Sequence, residues 1–304
     1  MALPEFHPFR SADARERFLA SYDDRAARWP VPCEGRTIDT SLGRTFVRIS
    51  GRAGAPPLVL LHGVSGSSLQ WAPNVAKLAE AFEVFAVDGI HDCGRSVYTR
   101  PAKDGADYAR WLDEVVTGLG LVSGFSLAGL SYGGWIASQY GLHYPRRLLG
   151  LVLVAPANTV LPITGAWMGR AVLSAVPLPW FTQSFMRWLC ADTAARGEEG
   201  RRYVEQWSED AFLAQRCFAW KPITQPTVLT DEELRALPRP TLLVVGENEK
   251  IYSAKEAIAR VSRVAPHIET ELVSGAGHDL TVVQADRFSA ALRSWLTKAS
   301  TPPA

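Results

Sequence analysis

No run in this chain approaches the ~20 consecutive apolar residues that a helix needs to cross a bilayer. The first 28 residues carry many charges and hold no apolar core of signal-peptide length. These absences predict a soluble, cytoplasmic protein without a membrane partner. Cysteine is scarce. Cys33, Cys93, Cys190 and Cys217 are the whole complement, none forms a C-x-x-C pair, and none clusters with histidine at metal-ligand spacing. They read as free thiols in a reducing compartment, and no metal is expected. An excess of charge of either sign is also missing. With 32 basic and 31 acidic residues the formal net charge is +1, and Arg146-Arg147 and Arg201-Arg202 are isolated doublets, not a basic stripe. A nucleic-acid partner therefore has no electrostatic footing. Internal repeats and low-complexity tracts are absent as well.

What is present is an ordinary globular balance, 47% hydrophobic and 21% charged. The 304 residues suffice for a sizeable core, as one large α/β domain or two smaller ones. Residues 12–27 have helical periodicity and end at Trp29-Pro30. Residues 37–40 and 45–50 alternate around Leu42-Gly43 and predict an antiparallel hairpin. Short, largely apolar runs at 57–61, 83–88, 121–130, 148–155 and 241–245, with a further strand at 269–273, alternate with helical patterns at 68–81, 107–119, 135–143, 254–264 and 282–297. Residues 89–99 read as a loop, and 298–304 as a disordered tail.

The alternation lapses over residues 157–238. That stretch is helical in pattern, broken by Pro177, Pro179, Pro222 and Pro226, and carries five of the ten tryptophans: Trp167, Trp180, Trp188, Trp207 and Trp220. Thr230 followed by Glu233 fits a capping box opening a short helix at 231–236. The expected organisation is a core in two parts, 1–156 and 239–304, with a helical cap, 157–238, inserted between them. The cap aromatics either roof a substrate site or pack the cap helices. Strand–helix alternation with apolar strands implies a parallel sheet covered on both faces. Ligands of such sheets bind beyond the carboxyl ends of the strands.

At one such end stands Gly129-Leu130-Ser131-Tyr132-Gly133, between an apolar run and a helical pattern. A G-x-S-x-G in that setting reads as a nucleophile elbow, a strained turn that lifts the serine hydroxyl clear of the sheet. Residues two before and two after the serine must be small because strand and helix pack closely at the bend. Gly129 and Gly133 meet that demand, and Gly134 adds room.

A serine hydroxyl is a weak nucleophile and needs a base, and the base needs an orienting group. His278, presented by the glycine-flanked loop Gly275-Ala276-Gly277 after the last strand, is the candidate base. The acid should lie between serine and histidine in the chain, where Gly246-Glu247-Asn248-Glu249 follows a strand. Glu249 is the candidate and Glu247 its rival. The oxyanion of an acyl-transfer intermediate needs two backbone N–H donors, Tyr132 after the nucleophile and Val64 in the loop after the strand ending at His62-Gly63. His62 reads as a support for that loop. His91, Asp92 and Cys93, after another strand end, either line the site or hold their own loop, with Asp92 capping a turn.

Leu60-Leu61-His62-Gly63, the serine motif, Gly246-Glu247-Asn248-Glu249 and Gly275-Ala276-Gly277-His278 come in the order of the α/β-hydrolase superfamily, which the chain resembles over most of its length. Aspartate is commoner than glutamate at the acid position of that fold, and the family's other acid position falls on Pro156-Ala157-Asn158, which has no carboxylate. A closer similarity is to bacterial carboxylesterases of the naproxen-esterase type. It rests on Trp29-Pro30-Val31-Pro32-Cys33, on Ala55-Pro56-Pro57 running into the His62-Gly63 strand, and on Thr230-Asp231-Glu232-Glu233-Leu234. Those esterases carry Glu at the acid position with Ile-Tyr two residues on, as Ile251-Tyr252 here, which supports Glu249. The chain departs from them at Tyr132, where they often have Leu, and across the cap. The resemblance implies an α/β-hydrolase fold and hydrolysis of carboxylic esters with bulky, apolar acyl groups, small-molecule substrates, without a cofactor. The same side chains would also serve lactone hydrolysis, acyl transfer, carbon–carbon cleavage or a cyclisation, and hydrolase-fold receptors exist.

Overall fold

The computed structural model describes residues 4–219 and 223–299. In chain order it begins with α1 (Ala12–Ala26), β1 (Cys33–Thr40), β2 (Gly43–Ser50), β3 (Pro57–Leu61), α2 (Ala72–Ala79), β4 (Glu83–Val87), β5 (Val97–Tyr98) and α3 (Gly105–Gly118). There follow β6 (Phe125–Leu130), α4 (Tyr132–His143) and β7 (Leu148–Val154). Five helices come next: α5 (Gly165–Ser174), α6 (Pro179–Leu189), α7 (Ala191–Ala194), α8 (Gly197–Cys217) and α9 (Asp231–Ala236). The chain closes with β8 (Thr241–Gly246), α10 (Ala254–Val264), β9 (Ile268–Val273), α11 (Leu280–Val283) and α12 (Ala285–Ala299).

One nine-stranded sheet runs in the order β1-β2-β4-β3-β6-β7-β8-β9, with β5 paired to β2. The β1–β2 hairpin and the β2–β4 and β2–β5 pairs are antiparallel. From β4 through β3, β6, β7 and β8 to β9 every pair is parallel. The apolar strands have a simple cause. Val59, Leu61, Leu127, Leu151, Leu153, Leu243 and Val245 enter the core beneath α3, α4 and α10. Leu58, Leu60, Ala128, Leu130, Val152, Val154, Leu242 and Val244 enter the opposite core, beneath α2 and α12. Side chains alternate faces along a strand, so a strand buried on both faces leaves few polar positions, here Ser126 in β6 and Thr241 at the start of β8. Trp111 and Trp135 fill the first core and Trp71 and Phe288 the second.

Local chemistry sets the helix ends. Ser11, Asp104 and Ser253 accept the N–H of the third residue on, at the starts of α1, α3 and α10. Thr230 and Glu233 form the expected capping box, and α9 has the expected span. Gly43 turns the first hairpin at φ +134°, where an added Cβ would come within 2.8 Å of Tyr98 Cα.

Several expectations need correction. The helix expected over 68–81 opens as a 3₁₀ turn, Ser68–Trp71, and becomes α-helical at Ala72. Pro73 has no N–H to give Leu69, so the tighter bond from Ala72 N to Leu69 O takes its place. The strand expected over 121–130 starts at Phe125, after Gly124 at φ +103°. Two residues of the 89–99 loop form β5. The closing helix is two, parted at Gln284, whose side chain donates to Ser274 O at 3.3 Å. Lys298 and Ala299 belong to α12, not to a tail, while 300–304, Trp220 and Pro222 lie outside the described residues. Among the described residues, no helix is long and apolar enough to cross a membrane.

Candidate active site

Ser131 joins β6 to α4 at φ +54°, ψ −116°, a region that an L-residue occupies only when its surroundings force it there. The forcing is visible on every side. Ser131 N–H donates to Val154 O at 2.9 Å, and its carbonyl accepts from Gly134, Trp135 and Ala157. A Cβ on Gly133 would stand 2.5 Å from His62 O and 2.6 Å from Leu61 O. One on Gly129 would collide with Gly133 O, and one on Gly134 would press on Pro156 Cβ at 2.8 Å. The sequence thus spends three glycines on one tight crossing, as the motif predicts. The turn places the serine at the N-terminus of α4, where the helix dipole favours developing negative charge.

Beside it lies the loop after β3. A Cβ on Gly63 would approach Ser131 Cβ to 3.3 Å, so this loop touches the nucleophile turn. His62 Nε2 accepts from Gly89 N–H at 2.8 Å, which leaves Nδ1 to carry the proton and donate to Gly63 O at 2.7 Å. Both ring nitrogens are engaged, so His62 is a support and has no free nitrogen for a base. Gly63 O also accepts from Gly66 N–H. In a trans peptide the C=O and the next N–H point opposite ways, so these bonds aim Val64 N–H. Neither Val64 N–H nor Tyr132 N–H donates to any group among the described residues. Val64 N–H, next to the Gly63 position that touches Ser131, and Tyr132 N–H, next to Ser131 in the chain, are thus both without a partner among the described residues.

His278 and Glu249 meet. Nδ1 of the ring lies 3.1 Å from Oε1 and 3.0 Å from Oε2 of Glu249, whose side chain is fully buried. Oε1 also accepts the backbone N–H groups of Lys250 and Ile251, at 2.7 and 3.0 Å. Glu247, the rival, is exposed and turns instead to Gly275 N–H at 3.3 Å. The loops after β8 and β9 are stitched by Asn248 N–H to Ala276 O. Burial alone would lower the basicity of His278. The charge and hydrogen bond of Glu249, helped by Asp279, outweigh it and hold the ring above its ordinary pKa of 6.5. Ser131, Glu249 and His278 follow β6, β8 and β9, all parallel, so they share one sheet edge. Ser131 Oγ makes no hydrogen bond to the His278 ring within 3.5 Å among the described residues. In free enzymes this contact is commonly loose and tightens with substrate.

His91 and Asp92 support their loop and also line a small pocket beside Tyr132, while Cys93 lines the larger cavity by α1 and α8. His91 bridges Arg100 O and the Tyr108 hydroxyl, and burial lowers its pKa. Asp92 accepts from Cys93 N–H and reaches across to Ser65 N–H at 2.9 Å, bracing the loop of Val64. Sequence reasoning missed three residues. Gln70 accepts Gly63 N–H at 2.8 Å, Asn248 donates to Asp192, and Asp279 accepts Thr193 N–H. None has a local sequence signal, because each partner is fixed only by the fold.

Of the aromatics of residues 157–219, Tyr203 and Trp207 meet a cavity whose lining includes none of Ser131, Glu249 and His278. That cavity, of about 190 Å³, is bounded by α1, α8 and the Ser65–Gln70 side of the loop after β3. Trp167 and Leu189 pack on the main core, Trp188 lies under Arg170, and Trp180 is 65% exposed. Tyr132 turns its hydroxyl to Thr224 O at 2.8 Å and its ring towards Tyr108 and Trp135. No cluster of three or more His, Cys, Asp or Glu among the described residues could hold a metal ion.

A nucleophile turn, a histidine–carboxylate pair and a helix-covered parallel sheet define a hydrolase architecture of the strand–turn–helix kind. The chain belongs to the alpha/beta hydrolase family, whose model matches residues 58–291. It is 33% identical over 270 residues to an uncharacterized carboxylesterase, nap, of Bacillus subtilis, covering 88% of each chain. It is 31% identical to carboxylesterase YbfK of the same organism, over 95% of this chain and 96% of that one. The crystal structure of naproxen esterase from Bacillus subtilis superposes with a TM-score of 0.85 at 32% identity, covering 94% of this chain and 99% of the other.

Proposed function

We propose that this α/β-hydrolase cleaves carboxylic esters through an acyl-enzyme on Ser131. The observation that carries the reading is the Glu249–His278 pair at 3.0–3.1 Å, on the sheet edge where the strained Ser131 turn stands beside two unpaired N–H groups. Glu249 takes Nδ1, which leaves Nε2 as the base for the Ser131 proton. The N–H groups of Val64 and Tyr132 receive the oxyanion. His278 then returns its proton to the departing alkoxide and activates the water that hydrolyses the acyl-enzyme. Glu249 keeps the tautomer and stabilises the imidazolium. The carboxylesterases among the relatives support an ester as substrate.

Helices α5–α9, within residues 157–238, are read as a cap over the strand ends. They are tied to the site loops by Thr164 N–H to Ile251 O, by Thr193 N–H to Asp279 and by Tyr132 OH to Thr224 O. No disulfide joins the four cysteines among the described residues, which suits work in the cytoplasm. The test is Ser131→Ala, assayed with a series of ester chain lengths and lactones and with a serine-directed phosphonate. Turnover and labelling are expected to vanish together, and full labelling of the variant refutes the assignment.

A further inference from the structure

Asp279 follows His278 directly, and it is 1% exposed. Its Oδ2 accepts the backbone N–H of Thr193 in α7 at 2.8 Å. Its Oδ1 is shut away from solvent and accepts no hydrogen bond of ordinary geometry among the described residues, and the Thr193 hydroxyl, also without such a partner, gives the carboxylate some support. The groups that face it electrostatically are the His278 ring, the Asp192 carboxylate on α7 and the Cys190 thiol just before α7. None of these is a resident cation. A carboxylate with one idle oxygen in such a place is expensive. Its cost falls when a positive charge forms beside it, and the reaction proposed above forms one on His278.

We propose that Asp279 is a positioning residue for the proton transfer: its under-solvated carboxylate stabilises the His278 imidazolium as it appears, while its bond to Thr193 clamps α7 against the histidine loop. The interaction is stronger in the transition state than at rest, so it accelerates the step instead of merely tightening binding. It adds to Glu249 without duplicating it, because Glu249 holds Nδ1 and Asp279 acts through space. The clamp has a second arm, since Asn248 Nδ2 donates to Asp192 Oδ1 at 2.9 Å, so α7 is fastened to both the acid and the histidine loops. Burial and the nearby Asp192 charge push the Asp279 carboxyl above the usual range, as expected for a poorly compensated charge. The inference rests on His278 as the base of the proposed hydrolysis.

The experiment is NMR titration of the His278 ring in wild type, Asp279→Asn and Asp279→Ser, alongside pH profiles of kcat/KM. Asn keeps an acceptor for Thr193 N–H, and Ser removes the charge with different packing. Both should lower the His278 pKa by about half to one unit. The acid limb of kcat/KM should move down with it, and the plateau should fall about three- to tenfold. An unmoved ring titration in both variants overturns the proposal, even if melting temperature drops, since that pattern marks a purely structural residue. NMR reads the ring whether or not an ester is turned over. A failure of the esterase reading would appear separately, as turnover that survives Ser131→Ala.

Discussion

Replacing Glu249 by Gln probes the histidine–carboxylate pair with almost no change in shape. Glu249 Oε1 accepts two backbone N–H groups, Lys250 and Ile251, at 2.7 and 3.0 Å. A glutamine must therefore leave its carbonyl oxygen at that position and place its NH₂ where Oε2 was, 3.0 Å from His278 Nδ1. The carbonyl oxygen stays 3.1 Å from Nδ1, so the new NH₂ competes with it for that nitrogen; when the NH₂ donates, Nδ1 becomes an acceptor and the ring proton moves to Nε2. The nitrogen facing Ser131 is then already protonated and cannot act as a base. The corresponding Asp→Asn change in a serine protease triad, with its geometry intact and tautomer wrong, costs ~10⁴ in kcat. That factor equals about 5.4 kcal/mol of transition-state stabilisation. Loss of the charge also removes the pull that holds the His278 pKa up. Initial rates on a p-nitrophenyl ester, for Glu249→Gln and for Glu247→Gln in parallel, make the comparison. The first should fall by about four orders of magnitude. The second, whose side chain is exposed and touches only Gly275 N–H, should stay near wild type. A loss below tenfold in Glu249→Gln, or equal losses in both, refutes the assignment.

Because the His278 pKa lies above 6.5 and the neutral ring is the active form, kcat/KM should reach half its maximum above pH 6.5 and rise with pH through that point. The same shift contributes stability that is fully present below pH 6.5 and lost as pH rises through the folded value, which thermal melting across pH reads out. Gly133→Ala drives a Cβ against His62 O and Leu61 O and should cost about 1–3 kcal/mol, seen as a lowered melting temperature together with lost turnover.

The sequence made the sheet and the elbow legible because their constraints are local or periodic. β3, β6, β7 and β8 are buried on both faces, so each reads as a largely apolar run, interrupted only by small residues such as Ser126 and Thr241. Gly129, Ser131 and Gly133 announce themselves because a strand-to-helix crossing this tight leaves no room for a Cβ. β5 is illegible, since two residues paired at the edge carry no period. The break at Gln284 is equally hidden, because the partner of its side chain, Ser274 O, lies ten residues away and is brought near only by the turn after β9. The supports of the candidate site are the least visible. Asp92 reaches Ser65 across 27 residues and Asp279 reaches Thr193 across 86. In the sequence each is one more loop carboxylate. Glu249 already takes precedence over Glu247 by its place after Gly246, the resemblance strengthens it, and among the described residues the Glu249 carboxylate, not that of Glu247, reaches the His278 ring.

The central claim is that Ser131, His278 and the two N–H groups at 64 and 132 act on one reacting centre. The most direct measurement is a crystal structure of the protein after reaction with a phosphonate ester. The account predicts phosphorus bonded to Ser131 Oγ, one phosphoryl oxygen about 2.7–3.1 Å from both Val64 N and Tyr132 N, and His278 Nε2 facing the leaving-group side. An adduct on another residue, or a phosphoryl oxygen pointing away from both N–H groups, contradicts it.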